Sequence, residues 1–189
     1  MSHLFQRIVA AGLLIPGAPL IGLLVLWVRF DSPGGAIFSQ PRVGKGKREF
    51  RCLKLRTMKT GTAQRGTHEV SRSAVTRAGK IMRASKLDEL PQLWNILRGE
   101  MNFVGPRPCL PSQEELIQER DARGVYSVLP GITGLAQVSG IDMSDPVRLA
   151  DCDAEYLRQR SFWFDLKLLM RTFSPISLQD RVSGKEQGS

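Results

Sequence analysis

Cysteine and histidine are scarce in this chain, and their scarcity excludes two kinds of scaffold. The three cysteines, Cys52, Cys109 and Cys152, stand far apart without a Cys-x-x-Cys pair, and the two histidines are His3 and His68. Three widely spaced thiols do not make a disulfide framework, and two isolated imidazoles do not complete a zinc site. We therefore expect reduced cysteines, as in an intracellular protein.

Aromatic residues are almost missing from the most basic part of the chain. Residues 42–86 contain fourteen lysines and arginines against two acidic residues, in a chain of formal net charge +9. Such a block indicates nucleic acid, anionic lipid or a phosphorylated substrate as partner, or else a solvated basic face. Phe50 is its single aromatic residue, whereas sites for single-stranded nucleic acid alternate basic and aromatic side chains. With no helix-turn-helix or zinc-finger pattern either, we expect no nucleic-acid partner.

Charge is missing altogether from residues 8–28, which Arg7 and Arg29 bracket. A straight helix of that length reaches roughly 30 Å, enough to cross the hydrocarbon core of a bilayer. No cleavage site of small residues follows the run, so a removable signal peptide is not expected. The run predicts a permanent membrane element, with a buried core helix as the alternative.

Pro16, Gly17 and Pro19 interrupt this apolar run. Proline removes a backbone donor and clashes with the preceding turn, so we expect a sharp bend here. The two legs, 8–15 and 20–28, are each about 12–14 Å long, about half of a bilayer core. The pattern favours a re-entrant hairpin that returns to the side it entered, with a kinked single span as the alternative. In both cases the basic segment that follows should stay cytoplasmic.

Short strand-like and helix-like runs follow the turn residues 31–35. Residues 36–40 and 50–58 predict a small β-hairpin. Residues 74–86 are compatible with a helix that has one apolar face and lysine or arginine elsewhere. Such a helix either lies on an anionic membrane surface or is an ordinary amphipathic helix, and the sequence does not separate the two.

Two adjacent carboxylates, Asp88 and Glu89, precede Pro91. Proline is tolerated in the first turn of a helix, so the pair falls at a junction between two helices. The second helix is predicted over residues 90–98 and is closed by Gly99. A helix cap would explain one carboxylate, but neither the second nor the basic surroundings.

A shared chemical task explains both carboxylates. One can attack phosphorus and form an acyl-phosphate, while the other binds Mg²⁺, which takes one or two carboxylates together with substrate phosphates. Nearby lysines and arginines would neutralise the phosphates. The basic block would thus attract a phosphorylated substrate on which the acidic pair acts.

Four longer stretches resemble one protein family. They are "FSQPRVGKGKREFRCLKLRTM", "KLDELPQLWNILRGEMNFVGPRP", "LPGITGLAQVSG" and "FWFDLKLLMRT". Their order is similar to that in bacterial sugar transferases of the monotopic phosphoglycosyl transferase family, with a match from about residue 5 to residue 172. The resemblance implies transfer of a sugar-1-phosphate from a UDP-sugar to polyprenol phosphate, with release of UMP and a covalent phosphosugar-enzyme intermediate.

The resemblance also assigns roles to single residues. It implies that Asp88 is the nucleophile and that Glu89 helps to bind Mg²⁺. It implies phosphate or nucleotide binding by four basic residues, Lys54, Arg56, Arg83 and Arg107. It implies supporting roles for three further residues, Asp153, Asp165 and Gln137. Pro19, with the added Pro16, matches the proline that breaks the family's re-entrant helix.

Three positions depart from the family pattern. Ala10 stands where the family often has an aspartate, Ala18 where a small polar residue often precedes the break, and Ile141 where an arginine is usual. The first two concern the membrane helix, and the third concerns the pocket for sugar or nucleotide.

Together these observations predict a mainly helical α+β protein. We expect a re-entrant membrane anchor over residues 1–30, and a compact catalytic domain over 31–172 with a small β-hairpin and amphipathic interfacial helices. A flexible tail over 173–189 should follow. We expect the cytoplasmic face of a bacterial inner membrane and four binding partners: Mg²⁺, a UDP-sugar, polyprenol phosphate and membrane lipids. Homodimerisation is left open, and the alternative function is a non-catalytic membrane adaptor with a cationic surface.

Overall fold

The computed structural model describes residues 3–61 and 74–172, which form a mainly helical α+β structure. The helices are α1 (His3–Asp31), α2 (Arg77–Ser85), α3 (Gln92–Arg98), α4 (Glu114–Ala122), α5 (Leu135–Val138), α6 (Pro146–Gln159) and α7 (Phe162–Thr172). The strands are β1 (Ile37–Val43), β2 (Glu49–Leu55), β3 (Asn102–Val104) and β4 (Gly131–Thr133). The predicted fold class is confirmed at this level, whereas the predicted tail over 173–189 lies outside the described residues.

Strands β1 and β2 form the predicted antiparallel β-hairpin. Ile37 pairs with Leu55 at one end and Val43 pairs with Glu49 at the other. The sequence predicted that the first strand ends at Gln40, yet it continues through Pro41 to Val43. Proline is tolerated there because β1 pairs with β2 along one side only, and its other edge is bridged at Val43, to Cys109, and not at Pro41.

Strands β3 and β4 form a short parallel pair that the sequence analysis did not predict. Asn102 pairs with Gly131 and Val104 with Thr133. A Cβ atom on Gly131 would lie 2.1 Å from the backbone nitrogen of Gly105, so only glycine permits this close approach. The pair fixes the start of the segment that carries Arg107.

Helix α1 is continuous from His3 to Asp31, with Pro16 and Pro19 inside it. The predicted re-entrant hairpin of two separate legs is therefore not confirmed. A proline removes one donor from the helix ladder, which can kink a helix without ending it. By length and composition α1 could cross a membrane, and 11% of its most apolar window is buried against the rest of the protein.

Both ends of α1 pack on the rest of the protein. Near its start, Ala10 is buried in a cluster that includes Leu93 and Ile96 of α3. Near its end, Leu24 and Val28 are buried in a second cluster with residues of α2 and β2. The middle is open to the surroundings, and Ile15 is 79% exposed.

Helix α2 leads into the acidic pair. Thr76 caps the helix and accepts a hydrogen bond from the backbone nitrogen of Gly79. A Cβ atom on Gly79 would lie 2.2 Å from the carbonyl oxygen of Thr57, so glycine lets α2 approach the segment after β2. A 3-10 turn at Leu87–Glu89 joins α2 to α3, which confirms the predicted helix-to-helix junction.

Candidate active site

The acidic pair sits on a tight turn between two helices. Lys86 adopts a left-handed conformation with φ of 58°, which ends α2 and redirects the chain. The backbone nitrogen of Glu89 donates to the carbonyl of Lys86, which closes the 3-10 turn. Pro91 then precedes α3, where its missing donor is harmless. Asp88 is buried on this turn, with 8% of its surface exposed.

Glu89 contacts two cations from distant parts of the chain. Lys54 Nζ lies 3.3 Å from Glu89 Oε1, and Arg107 Nη1 lies 3.5 Å from the same oxygen. Lys54 belongs to β2, and Arg107 belongs to the segment after β3. The fold thus joins three of the predicted site residues in one cluster, called here the Glu89 cluster (Lys54, Glu89 and Arg107).

Asp88 has a different environment from its neighbour. Across residues 3–61 and 74–172, no side chain makes a hydrogen bond with the Asp88 carboxylate. Lys54, Arg83 and Arg107 nevertheless act on its charge through space. One carboxylate is therefore held by cations, while the other is left free to react.

Burial and neighbouring charges shift the pKa values of the two carboxylates in opposite directions. Burial, and then the charge of Glu89, raise the pKa of Asp88 above its usual value, although Lys54 and two arginines oppose the shift. Burial also acts to raise the pKa of Glu89, but Lys54, Arg107 and Lys86 together hold it below its usual value. Glu89 is thus the more firmly ionised of the two, and Asp88 is the more basic.

Arg83 joins the site from α2. Its Nε donates a hydrogen bond of 2.8 Å to the Thr57 hydroxyl, which orients the guanidinium at the junction. Burial lowers the pKa of Arg83, and the nearby charge of Asp88 partly opposes that shift. Arg83 therefore adds positive charge next to Asp88, as the sequence predicted for a phosphate-binding group. The orienting role of Thr57 was not predicted.

Arg56 is engaged elsewhere. Its guanidinium donates to the backbone carbonyls of Ser32 and Pro33 and to the Thr60 hydroxyl. These bonds tie the end of α1 to the end of β2. Within the described part of the chain, no contact joins Arg56 to the Glu89 cluster, so its phosphate-binding role stays a prediction.

Two of the predicted supporting residues act on the segment that bears Arg107. Asp153 accepts two hydrogen bonds from Arg120, whose Nη1 donates to the carbonyl of Arg107 at 2.9 Å. Asp165 accepts from the Tyr156 hydroxyl, which also lies 3.3 Å from the carbonyl of Val104. Both carboxylates are buried, and through these partners each is linked to the segment.

Gln137, the third predicted supporting residue, lies on α5. Its Nε2 is 3.5 Å from the carbonyl of Ile132, and its Oε1 is buried without a partner among the described residues. No contact between Gln137 and the Glu89 cluster is found there. Its supporting role stays a prediction.

The donor set can be tested for the predicted Mg²⁺. The described residues contain no group of three or more His, Cys, Asp or Glu side chains that could hold a metal ion. A complete protein cage is not what Mg²⁺ needs, because it often binds one or two carboxylates and takes its other ligands from phosphates and water. Both cationic contacts of Glu89 use Oε1, which leaves Oε2 for a cation. The carboxylate pair therefore fits a Mg²⁺ that arrives with a phosphorylated substrate.

The sequence matches the bacterial sugar transferase family over residues 1–179. The chain belongs to this family. The match covers both carboxylates, the cations that surround them and the long apolar helix. It confirms the resemblance seen in the sequence and the prediction of an enzyme of the phosphoglycosyl transferase class. An adaptor without catalytic activity is not supported.

Three relatives illustrate the family. A UDP-glucose:undecaprenyl-phosphate glucose-1-phosphate transferase of Caulobacter vibrioides is 40% identical and aligns with 93% of this chain and 69% of its own length. An undecaprenyl-phosphate glucose phosphotransferase of Komagataeibacter xylinus is also 40% identical, over 85% of this chain and 32% of the relative. A UDP-N-acetylgalactosamine-undecaprenyl-phosphate N-acetylgalactosaminephosphotransferase of Aeromonas hydrophila is 35% identical, over 89% and 42%. The chain thus spans less than half of the last two.

The sequence does not single out several residues that the structure places at the site. Arg42 is one of the fourteen basic residues of the 42–86 block, and Arg120 lies in a charged stretch typical of a solvated helix face. Both arginines are buried. Arg42 donates to the carbonyl of Pro108, and Arg120 donates to the carbonyl of Arg107 itself. The only sequence signal was the unusual "GPRP" motif, whose carbonyls cannot all be satisfied by its own backbone because proline has no donor.

Proposed function

We propose that this chain transfers a sugar-1-phosphate from a UDP-sugar to undecaprenyl phosphate through an aspartyl-phosphosugar intermediate on Asp88. The observation that carries the proposal is the contrast between a free carboxylate at Asp88 and a cation-bound carboxylate at Glu89. A nucleophile needs an accessible lone pair, whereas a metal ligand needs a fixed, ionised oxygen. The adjacent carboxylates meet these two needs separately.

The first half-reaction is a displacement at phosphorus. An oxygen of Asp88 attacks the phosphorus that bears the sugar, the bond from that phosphorus to the bridging oxygen breaks, and UMP leaves with that oxygen. The product is an acyl-phosphate that links Asp88 to the sugar-1-phosphate. The raised pKa of Asp88 makes its carboxylate a stronger nucleophile than an ordinary aspartate.

The second half-reaction releases the enzyme. A phosphate oxygen of undecaprenyl phosphate attacks the same phosphorus, and the bond to Asp88 breaks. The products are the free carboxylate and an undecaprenyl-diphosphate sugar. Each half-reaction exchanges one phosphorus–oxygen bond for another, so no redox partner is needed.

Positive charge makes these attacks feasible, because both nucleophiles and the substrate are anionic. Lys54, Arg83 and Arg107 surround the carboxylates and would stabilise the phosphate oxygens as charge develops. Glu89, with Asp88 beside it, would hold Mg²⁺, which when bound would neutralise the donor's diphosphate. The chain's own residues orient the donor, and Lys54, Arg83 and Arg107 oppose the rise in the pKa of Asp88 that burial causes.

We also propose that the anchor is re-entrant and that both chain ends lie on the cytoplasmic face of the inner membrane. The support is that both ends of α1 contact the same domain: Gln6 Oε1 accepts from the backbone nitrogen of Phe103, and Asp31 accepts from that of Ala78. Leu90, next to the acidic pair, packs against the clusters at both ends. A helix that left the domain to cross the bilayer would make such contacts at only one of its two ends.

The exposed apolar side chains near α1 support an interfacial position for the site. Ile81 on α2 and Trp94 on α3 are exposed, and both helices pack against α1. Contact with lipid would cover them and keep Asp88 near the headgroups, where the acceptor phosphate lies. In this proposal residues 1–30 form the anchor, and 31–172 the catalytic domain.

The reaction is tested by UMP release from a panel of UDP-sugars, with detergent-solubilised protein, Mg²⁺ and undecaprenyl phosphate. The panel also identifies the donor. Incubation with donor alone should produce a phosphosugar adduct on Asp88, which mass spectrometry of peptides locates. Asp151→Asn is the matched control, because it neutralises an exposed carboxylate outside the site. An adduct on Glu89 would overturn the assignment of the nucleophile.

The topology is tested separately with Ser2→Cys in a variant without the three native cysteines. Protection from an impermeant maleimide on the periplasmic side supports the re-entrant anchor, whereas labelling there rejects it. Replacing Pro16 and Pro19 together with leucine should favour a straight, spanning helix and expose position 2 to the reagent.

A further inference from the structure

The segment that bears Arg107 is fastened by donors from three other elements. Four consecutive carbonyls each accept one hydrogen bond: Pro106 from Gly131 N, Arg107 from Arg120 Nη1, Pro108 from Arg42 Nη1, and Cys109 from Val43 N. The two prolines cannot donate, so the turn has few bonds of its own. Its conformation, and with it the direction of the Arg107 side chain, is therefore imposed by the surrounding residues.

Two buried arginines make the side-chain bonds to this turn, and their charges are balanced differently. Arg120 is 1% exposed and is neutralised by Asp153, at 2.6 Å. Arg42 is 9% exposed, and its second donor, Nη2, bonds to the neutral amide oxygen of Gln40 at 2.8 Å. Among the described residues no carboxylate pairs with Arg42.

A buried guanidinium without a carboxylate is costly, and the protein keeps it beside a second cation. Burial, and then the charge of Arg107, lower the pKa of Arg42 to about 10, so it stays charged at neutral pH. The cost has a functional reason if the excess charge is balanced only when an anionic substrate binds. For stability alone, a neutral side chain that donates to Pro108 would suffice.

Each strand of the β-hairpin contributes one cation to the surroundings of Glu89. Lys54 on β2 contacts Glu89 directly, whereas Arg42 on β1 reaches Glu89 through the turn and Arg107. The hairpin thus helps to place both cations of the Glu89 cluster. Loss of the bond from Arg42 to Pro108 would free the turn and move Arg107, while Lys54 would keep its own contact with Glu89.

We propose that Arg42 is a positioning residue that acts through Arg107: it fixes the 106–109 turn and keeps an excess positive charge behind the donor's diphosphate. The inference rests on the proposed function, because the diphosphate is that of the UDP-sugar. It makes a specific prediction, namely that most of the effect of Arg42 depends on Arg107, with only a small direct contribution from its charge. A residue needed simply for folding has no such dependence.

The experiment is a double-mutant cycle in steady-state kinetics of UMP release. Arg42→Gln should lower kcat/KM by about 10- to 100-fold, chiefly through a higher KM for the UDP-sugar. In an Arg107→Ala background the same change should cost less than about threefold, because the residue through which Arg42 acts is gone. Arg148→Gln removes one charge from an exposed position on α6 and serves as the control, with kinetics like those of the wild type.

Two further variants keep the proposal testable if Arg42→Gln does not fold. Arg42→Lys retains the charge but cannot reach both Gln40 and Pro108, and Gln40→Leu keeps the guanidinium but frees one of its donors. Each should raise KM for the donor in wild-type background and show little effect in Arg107→Ala. A full loss in both backgrounds, or kinetics equal to those of Arg148→Gln, would overturn the proposal. Inactivity of the wild-type protein would instead refute the proposed function.

Discussion

Two groups of paired cations and carboxylates in this protein differ in burial and in charge balance. Arg120 donates two hydrogen bonds, of 2.9 and 2.6 Å, to one oxygen of Asp153, and both side chains are 2% exposed. In the Glu89 cluster the contacts are longer, 3.3 and 3.5 Å, and the side chain of Arg107 is 35% exposed. The first group is closed and neutral, whereas the second is open and carries more positive than negative charge.

The difference separates a structural ion pair from a site prepared for an anion. A short, doubly bonded pair satisfies its own charges, so it fixes two helices and needs no further partner. A looser cluster with excess cations leaves its positive charge unsatisfied until phosphates enter. Variants in the two groups should therefore affect stability and activity in opposite proportion.

The largest expected effect is on Asp88. Asp88→Asn should abolish turnover and the phosphosugar adduct, because an amide cannot form the acyl-phosphate. The same change should raise the melting temperature at pH 7. Because folding raises the pKa of Asp88, the ionised carboxylate opposes folding at pH values above its folded pKa, and this penalty vanishes below the unfolded value near 3.8. UMP assays and thermal melts at pH 7 and pH 3.5 check both parts; a destabilised Asn variant at pH 7 would contradict the burial argument.

Removal of the metal should have the next largest effect. Glu89→Gln should lower kcat by about 100-fold or more while KM for the donor changes less, since a misplaced cation loses charge stabilisation in the transition state. Chelation with EDTA should stop the wild-type reaction, and Mg²⁺ or Mn²⁺ should restore it. Full activity in excess EDTA would show that no divalent cation is needed.

Arg107→Ala should cost about 100-fold in kcat/KM, because it removes a donor to the phosphates and one of the positive charges around them. Its free energy of unfolding should change little, since the side chain is partly exposed and its contact with Glu89 is long. Lys54→Ala and Arg83→Ala should likewise lower kcat/KM. Wild-type kinetics in any of the three would remove that residue from the site.

Asp153→Asn should show the reverse pattern in the closed pair. It leaves the buried Arg120 charge uncompensated, so the free energy of unfolding should fall by about 3–5 kcal/mol. For the protein that remains folded, kcat/KM should fall by less than about tenfold, because the carbonyl of Arg107 can still be bound. Urea denaturation measures the first quantity and kinetics at low temperature the second. A stable but inactive variant would place Asp153 in the reaction itself.

The smallest expected effect is a shift in pH dependence. Protonation of Asp88 stops attack, so the acid limb of kcat/KM should lie above pH 3.8, the usual aspartate value. Lys54 is the strongest of the cations that lower this pKa, so Lys54→Gln should move the midpoint to higher pH. Lys47→Gln, at an exposed pair with Asp121, should leave the midpoint in place. A downward shift in the Lys54 variant would contradict the assignment of the limb to Asp88.

Much of this site could be read from short stretches of sequence. The Asp88–Glu89 pair, the break before Pro91 and the "GPRP" motif are local patterns, and local backbone preferences largely decide such turns. The sequence also predicts the β-hairpin, but it ends the first strand at Gln40, before Pro41. The strand in fact continues to Val43, because an edge position tolerates proline. The apolar length of α1 was evident, but its continuity through Pro16 and Pro19 was not.

The sequence by itself determined which residues are chemically able to act: an acidic pair, a surplus of lysine and arginine, and an apolar anchor. Only the tertiary structure decided which of the fourteen basic residues of the 42–86 block meet the carboxylates, bringing Lys54 to Glu89 while Arg56 binds carbonyls at the end of α1. It also buries Arg42 and Arg120, which look like surface residues in the sequence, and places both against the 106–109 turn. The physical reason is range: turns and helices depend on neighbouring residues, whereas burial and pairing of charges depend on residues far apart in the chain, which no local pattern encodes.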